Sequence, residues 1–182
     1  FSVVNSVLLR PLPYSDPERI VQAYDLFPAT GGMITSSFPK FGFLRERLKN
    51  FDAFAAVSFT RFQLAGPAPA APAEVQGARV SSDFFRVFGA RLARGREFTE
   101  AEQRPGGDAV AVISDGLWRG RFGADPAAVG RTVTLDGAET VITGIAPPGF
   151  DFPTGTDVWT PRVDVHAVVT PVQIQRGASY LF

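Results

Sequence analysis

The run RTVTLDGAETVITGIA, residues 131–146, does most to limit what this chain can become. Two stretches rich in Val, Ile and Thr flank Asp136-Gly137, a dipeptide that favours a tight hairpin because both positions accept positive φ. A two-residue turn sets Val133 opposite Thr140 and spends part of the alternation, so a longer loop stays open as the alternative register. Similar short runs recur as VSFTRFQLA (57–65), EVQGARV (74–80), AVAVIS (109–114) and Val158-Trp159. ERIVQAYDLF (18–27), VDVHAVV (163–169) and ASYLF (178–182) read as further strands. Short antiparallel strands mixed with small helices predict an α+β domain.

The helices announce themselves by spacing and caps. Phe38, Phe41, Leu44, Leu48 and Phe51 step by three or four, which predicts a core-facing helix from Phe38 to Lys49. Ser37 is placed to cap it, and Pro39 sits in the first turn, where a missing N–H costs nothing. In SSDFFRVFG, Ser81 is the expected cap, Phe84, Phe85 and Phe88 the packing groups, and Gly89 the stop. DGLWRGRFG carries Trp118 and Phe122 on one face, and Asp125-Pro126 starts a single turn that Gly130 closes. Between the strands at 57–65 and 74–80, GPAPAAPA forms a Pro/Ala hairpin tip. Residues 91–108 form an irregular charged connection.

At 182 residues the chain is one domain, or two small lobes sharing a core. Eighteen basic and eighteen acidic residues cancel, which removes the electrostatic footprint of a nucleic-acid binder. With no cysteine there are no disulfides, thiolate metal sites or thiol nucleophiles. No uninterrupted run of about 20 apolar residues exists to span a bilayer. The opening FSVVNSVLLRPLPY has Val3, Val4, Val7 and Leu8 at helical spacing, then Arg10, Pro11, Pro13 and Tyr14. It fits the outer tail of a membrane helix, with a snorkelling Arg, helix-stopping prolines and an interfacial Tyr, or else a short core element. Both ends look cut from a longer protein.

Candidate chemistry is sparse. Ser114 follows a buried strand and precedes a helix, and Asp136, Asp151 or Asp157 with His166 would complete the Ser–Asp–His order of an α/β-hydrolase. Val112 stands where the nucleophile elbow needs its first glycine, so an ordinary N-cap accounts for the same residues. His166 is the only histidine and has no second imidazole or thiol to share a metal. Glu97, Glu100 and Glu102 read as a solvated face, Arg119 and Arg121 as a helix surface, and Trp159 with the Phe pairs as core packing. No G-x-x-x-x-G-K-[ST] or G-x-G-x-x-G occurs. The residues point to no cofactor and no catalytic set.

Four phrases together are similar to one family. FSVVNSVLLRPLPYSDPERIV, VSSDFFRVFGARLARGREFT, AVAVISDGLWRGRFGADPAAVGRTVTLDGAETVITGIAPPGFDFP and DVWTP resemble, in order, the extracytoplasmic core domain of MacB/FtsX-type ABC-transporter permeases. The resemblance implies that residues 1–17 are the end of a transmembrane helix and its exit turn, with Arg10, Pro11, Pro13 and Tyr14 at the membrane exit. It implies a porter-like lobe of βαβ-type units with a smaller, β-rich sabre-like lobe inserted. Residues 18–80 would give the first porter half, 81–160 the sabre-like lobe, and 161–182 the start of the porter's return. The implied function is non-enzymatic: the domain faces the periplasm or cell exterior from a bacterial inner membrane and relays ATP-driven motion of the membrane helices. A cytoplasmic ATPase, a second permease copy and a periplasmic adaptor are the implied partners, with no nucleic acid. Cargo in the family ranges over drugs, peptides and lipoproteins. A free-standing periplasmic or secreted binding module is the alternative reading, and a serine hydrolase a further one.

Overall fold

The computed structural model describes residues 19–23, 25–27, 32–34, 38–47, 50–65 and 71–163. Expectations for residues 1–17, for His166 and for the strands at 163–169 and 178–182 lie outside these, apart from Val163. Strands β1 (Asp25–Phe27) and β2 (Gly32–Ile34) form a small antiparallel pair, followed by helix α1 (Phe38–Arg47). The expected strand from residue 18 is confined to its last part: residues 20–23 carry no regular structure, and Val21 is two-thirds exposed.

The remaining elements build one closed sheet. They are β3 (Val57–Ala65), β4 (Ala73–Val80), α2 (Phe84–Val87), β5 (Arg94–Gly95), β6 (Val110–Ile113), α3 (Asp115–Phe122), β7 (Thr132–Leu135), β8 (Ala138–Ile145) and β9 (Val158–Pro161). The strand order is β5-β8-β6-β9-β4-β3-β7, and β7 also pairs with β8. That extra pairing closes a ring of β8, β6, β9, β4, β3 and β7, with β5 flanking β8. The sheet is mixed rather than antiparallel throughout, since β4–β9 and β6–β8 run parallel.

Closure follows from local rules. Asp136 and Gly137 take φ values of 49° and 83°, so the β7–β8 turn is the tight two-residue form and Val133 does face Thr140. The longer loop is excluded. Thr140 is tolerated at its buried position because its hydroxyl donates to the Ala138 carbonyl. The turn then reaches β3, where the Asp136 N–H donates to Gln63 O and Asp136 Oδ1 accepts from the Gln63 N–H at 2.8 Å. β8 serves two neighbours on one edge, β7 near its start and β5 near its end, while β6 takes the other edge. A register shift between Ala111 and Val112 accommodates the bend.

Two buried clusters lie on opposite faces of this sheet. All six ring strands contribute to the first: Phe62 and Leu64, Val75, Ala111 and Ile113, Val133 and Leu135, Ile142 and Ile145, and Val158. This is the barrel interior, and Trp118 and Phe122 of α3 pack into it. The ring is narrow where the Phe62 ring lies over Gly77 of the paired strand, in the space a Cβ would occupy. The second cluster covers the outside of β4, β6 and β9 with Phe84, Phe85, Phe88, Phe98 and Phe150 around Trp159. β6 and β9 are therefore apolar on both faces, which is why AVAVIS is a continuous run and not an alternation.

Candidate functional site

A cleft lies at the N-terminus of α3. Ser114 ends β6 and caps the helix: its Oγ accepts from the Leu117 N–H at 3.0 Å. Its hydroxyl donates to Asp157 Oδ1 at 3.2 Å, and its backbone N–H donates to Asp157 O at 2.8 Å. Asp157 is fixed in turn by an N–H donated to Gln76 O, and Thr156 donates its hydroxyl to Pro153 O at 2.6 Å. The cleft holds about 330 Å³, and Asp115, Phe150 and Asp151 complete its wall.

The described geometry holds Ser114 as a helix cap. Ser114 is 7% exposed, and its oxygen is engaged by both the cap and Asp157. Its φ of −67° and ψ of 154° are ordinary extended backbone, unlike the strained turn of a nucleophile elbow. The neighbouring cation, Arg119, is 2.8 Å from Asp115 and neutralises it. Asp136, another proposed triad member, bonds Gln63 at the hairpin instead. Among the described residues no group of three or more His, Cys, Asp or Glu side chains is placed to hold a metal ion.

Several sequence assignments change here. Ser81 does not cap α2, since Asp83 stands at that position without a side-chain cap bond; Ser81 Oγ instead accepts from the Ala56 N–H at 3.0 Å. Glu102 is not part of a solvated face. It is 5% exposed and accepts from Arg96 Nη2 at 2.6 Å, from Arg96 Nη1 at 3.2 Å and from the Thr99 N–H at 2.7 Å. Burial alone would raise its carboxyl's pKa, but the Arg96 and Thr99 bonds prevail and hold it below the ordinary carboxylate value. The Thr99-x-x-Glu102 spacing of a capping box was the available signal. Arg121 also leaves the helix surface: its Nη2 donates to Leu64 O at 3.2 Å and Ala71 O at 2.6 Å, tying the base of the β3–β4 hairpin to α3.

The profile of the MacB-like periplasmic core domain family matches residues 1–180, so this chain belongs to that family. Among solved structures, it is similar to the extracellular domain of the noncanonic ABC-type transporter YknZ from Gram-positive bacteria. That match has 14% identity and a TM-score of 0.57, covering 78% of this chain and 77% of that one. The periplasmic region of MacB from Actinobacillus actinomycetemcomitans matches at 14% identity and TM-score 0.56, over 84% of this chain and 62% of that one. A domain of a permease protein from Porphyromonas gingivalis matches at 16% identity and TM-score 0.51, over 73% of this chain and 61% of that one. No curated protein matches the chain. The chain thus spans less than two thirds of the MacB and Porphyromonas domains. It is a MacB-like periplasmic domain of the ABC-transporter permease family.

Proposed function

We propose that this domain is a non-enzymatic coupling element: it takes up movement of membrane helices driven by a cytoplasmic ATPase and passes it to cargo or to a periplasmic adaptor. The observation that carries this reading is the closed ring in a chain of the MacB-like family, with Ser114 in the cleft beside α3 engaged as a helix cap. A closed sheet has no free register to slip and moves as a body. A second copy of the permease and the inner membrane of a bacterium complete the proposed setting. In a two-lobe division, the pairing of β3 and β4 with β7 and β9 favours a boundary just before Val57 over one at residues 80 and 81. The ring is then the sabre-like lobe, and the residues before it belong to the porter-like lobe.

The same reading places residues 1–9 in the membrane and makes Arg10, Pro11, Pro13 and Tyr14 the exit. Among the described residues no helix is long and apolar enough to cross a bilayer, so the test must address the opening segment itself. The 182 residues contain no cysteine, so in a permease whose remaining segments are made cysteine-free, Val4→Cys and Asp16→Cys introduce single reporters. In cells expressing the full-length permease, a membrane-impermeant maleimide should label position 16 and spare position 4 until detergent is added. Equal labelling of both positions before detergent removes the membrane-exit assignment.

A further inference from the structure

The part of the chain before β3 meets the ring in a different way from the ring's own parts. Among the described residues, no side chain of α1 belongs to either buried cluster. Its buried aromatic, Phe41, stacks on Phe54 at 5.1 Å, in the segment that leads into β3. Phe43 lies under the Arg47 guanidinium and is 41% exposed, and nearby Phe51 is 44% exposed. Phe51 also meets Phe54, at 6.3 Å between ring centroids. The link across to the second cluster is polar. Arg45 Nη2 lies 3.0 Å from Asp83 Oδ2, just before α2, and 3.1 Å from Glu100 Oε1 in the following connection.

We infer that Arg45 is a releasable clasp: one guanidinium, bridging Asp83 and Glu100, docks α1 on the barrel and opens without disturbing the barrel's fold. Three features make it releasable. Arg45 and Glu100 are solvent-accessible, so water replaces their contacts and salt screens them. Asp83 keeps a second cation when Arg45 leaves, since Arg86 Nη1 is 3.9 Å away. Among the described residues, neither apolar cluster takes a side chain from α1. This supplies a moving part for the coupling reading, and it rests on that reading only for its use.

Hydrogen exchange on the 182-residue chain tests the clasp independently of transport. In Arg45→Gln, amides of α1 should exchange about two- to five-fold faster than in the wild type, while those of β6 and β8 keep their rates. Raising salt, which shrinks the Debye length from about 30 Å at 0.01 M to about 3 Å at 1 M, should speed α1 in the wild type and leave Arg45→Gln unchanged. Adding Asp83→Asn to Arg45→Gln should change α1 little, because the shared interaction is already gone. Salt-insensitive wild-type α1 overturns the inference even if a variant misfolds. So does acceleration of β6 and β8 together with α1, which would mean one cooperative unit. A permease that transports normally with the clasp demonstrated would instead count against the coupling reading alone.

Discussion

Trp159→Ala should be the most damaging single substitution in the barrel. The side chain is fully buried, with Phe85 at 5.8 Å and Phe150 at 5.6 Å between ring centroids, and its Nε1–H donates to Phe152 O at 2.9 Å. Truncation opens a cavity between β9 and its aromatic cover and removes the bond to the Phe152 carbonyl. The expected loss is about 3–5 kcal/mol. For a chain of this size that is a fall of roughly 6–20 °C in melting temperature by calorimetry. Trp159→Phe keeps most of the volume and forfeits the hydrogen bond, so it should cost only about 1 kcal/mol. Equal losses for the two variants would show that the cover is not packed on the ring as described.

Glu102→Ala should come second, through polar rather than apolar loss. The carboxylate is the centre of the 96–107 connection: it binds both Nη atoms of Arg96 and the Thr99 N–H, while its own N–H donates to Thr99 Oγ1. Removing it leaves the Thr99 N–H without that acceptor and frees Arg96, for about 2–3 kcal/mol at neutral pH. Since the folded-state pKa is depressed below its unfolded value, the stabilisation is fully present above the unfolded value. It is lost as pH falls through the lower folded value. The gap in chemical-denaturation stability between wild type and Glu102→Ala should therefore be largest near neutrality and close on acidification. A gap independent of pH would mean the contribution is packing and not charge.

These two positions show what the sequence made legible. Trp159 was readable as core because it stands in a short β-rich run just after the loop that carries Phe150 and Phe152. Ser114, Asp125 and the Asp136-Gly137 turn were readable because caps and tight turns depend on neighbours within a few residues, and the structure shows each bonded accordingly. Glu102 was missed because three nearby carboxylates look solvated until Arg96 folds back on one of them. Arg121 was missed for a similar reason: its partners, Leu64 and Ala71, lie on a hairpin 57 and 50 positions away in sequence. Ring closure was hidden too, because parallel pairing of β4 with β9 joins segments that no local pattern connects. At the candidate site, the missing glycine at Val112 already spoke against a nucleophile elbow, and the backbone of Ser114 bears that out. Lobe boundaries depend on which strands pair across the chain, so they were the least legible feature.

The account's central claim is that the barrel moves with ATP at the membrane. The most direct measurement is the distance between spin labels at Asp16→Cys, beside the proposed membrane exit, and Glu139→Cys, exposed on β8, in the full-length permease with its ATPase. Trapping ATP should shift the distance distribution by several ångströms relative to the nucleotide-free state, on the order of the helix shifts known for such switches. Superimposable distributions in a permease that still transports would contradict it.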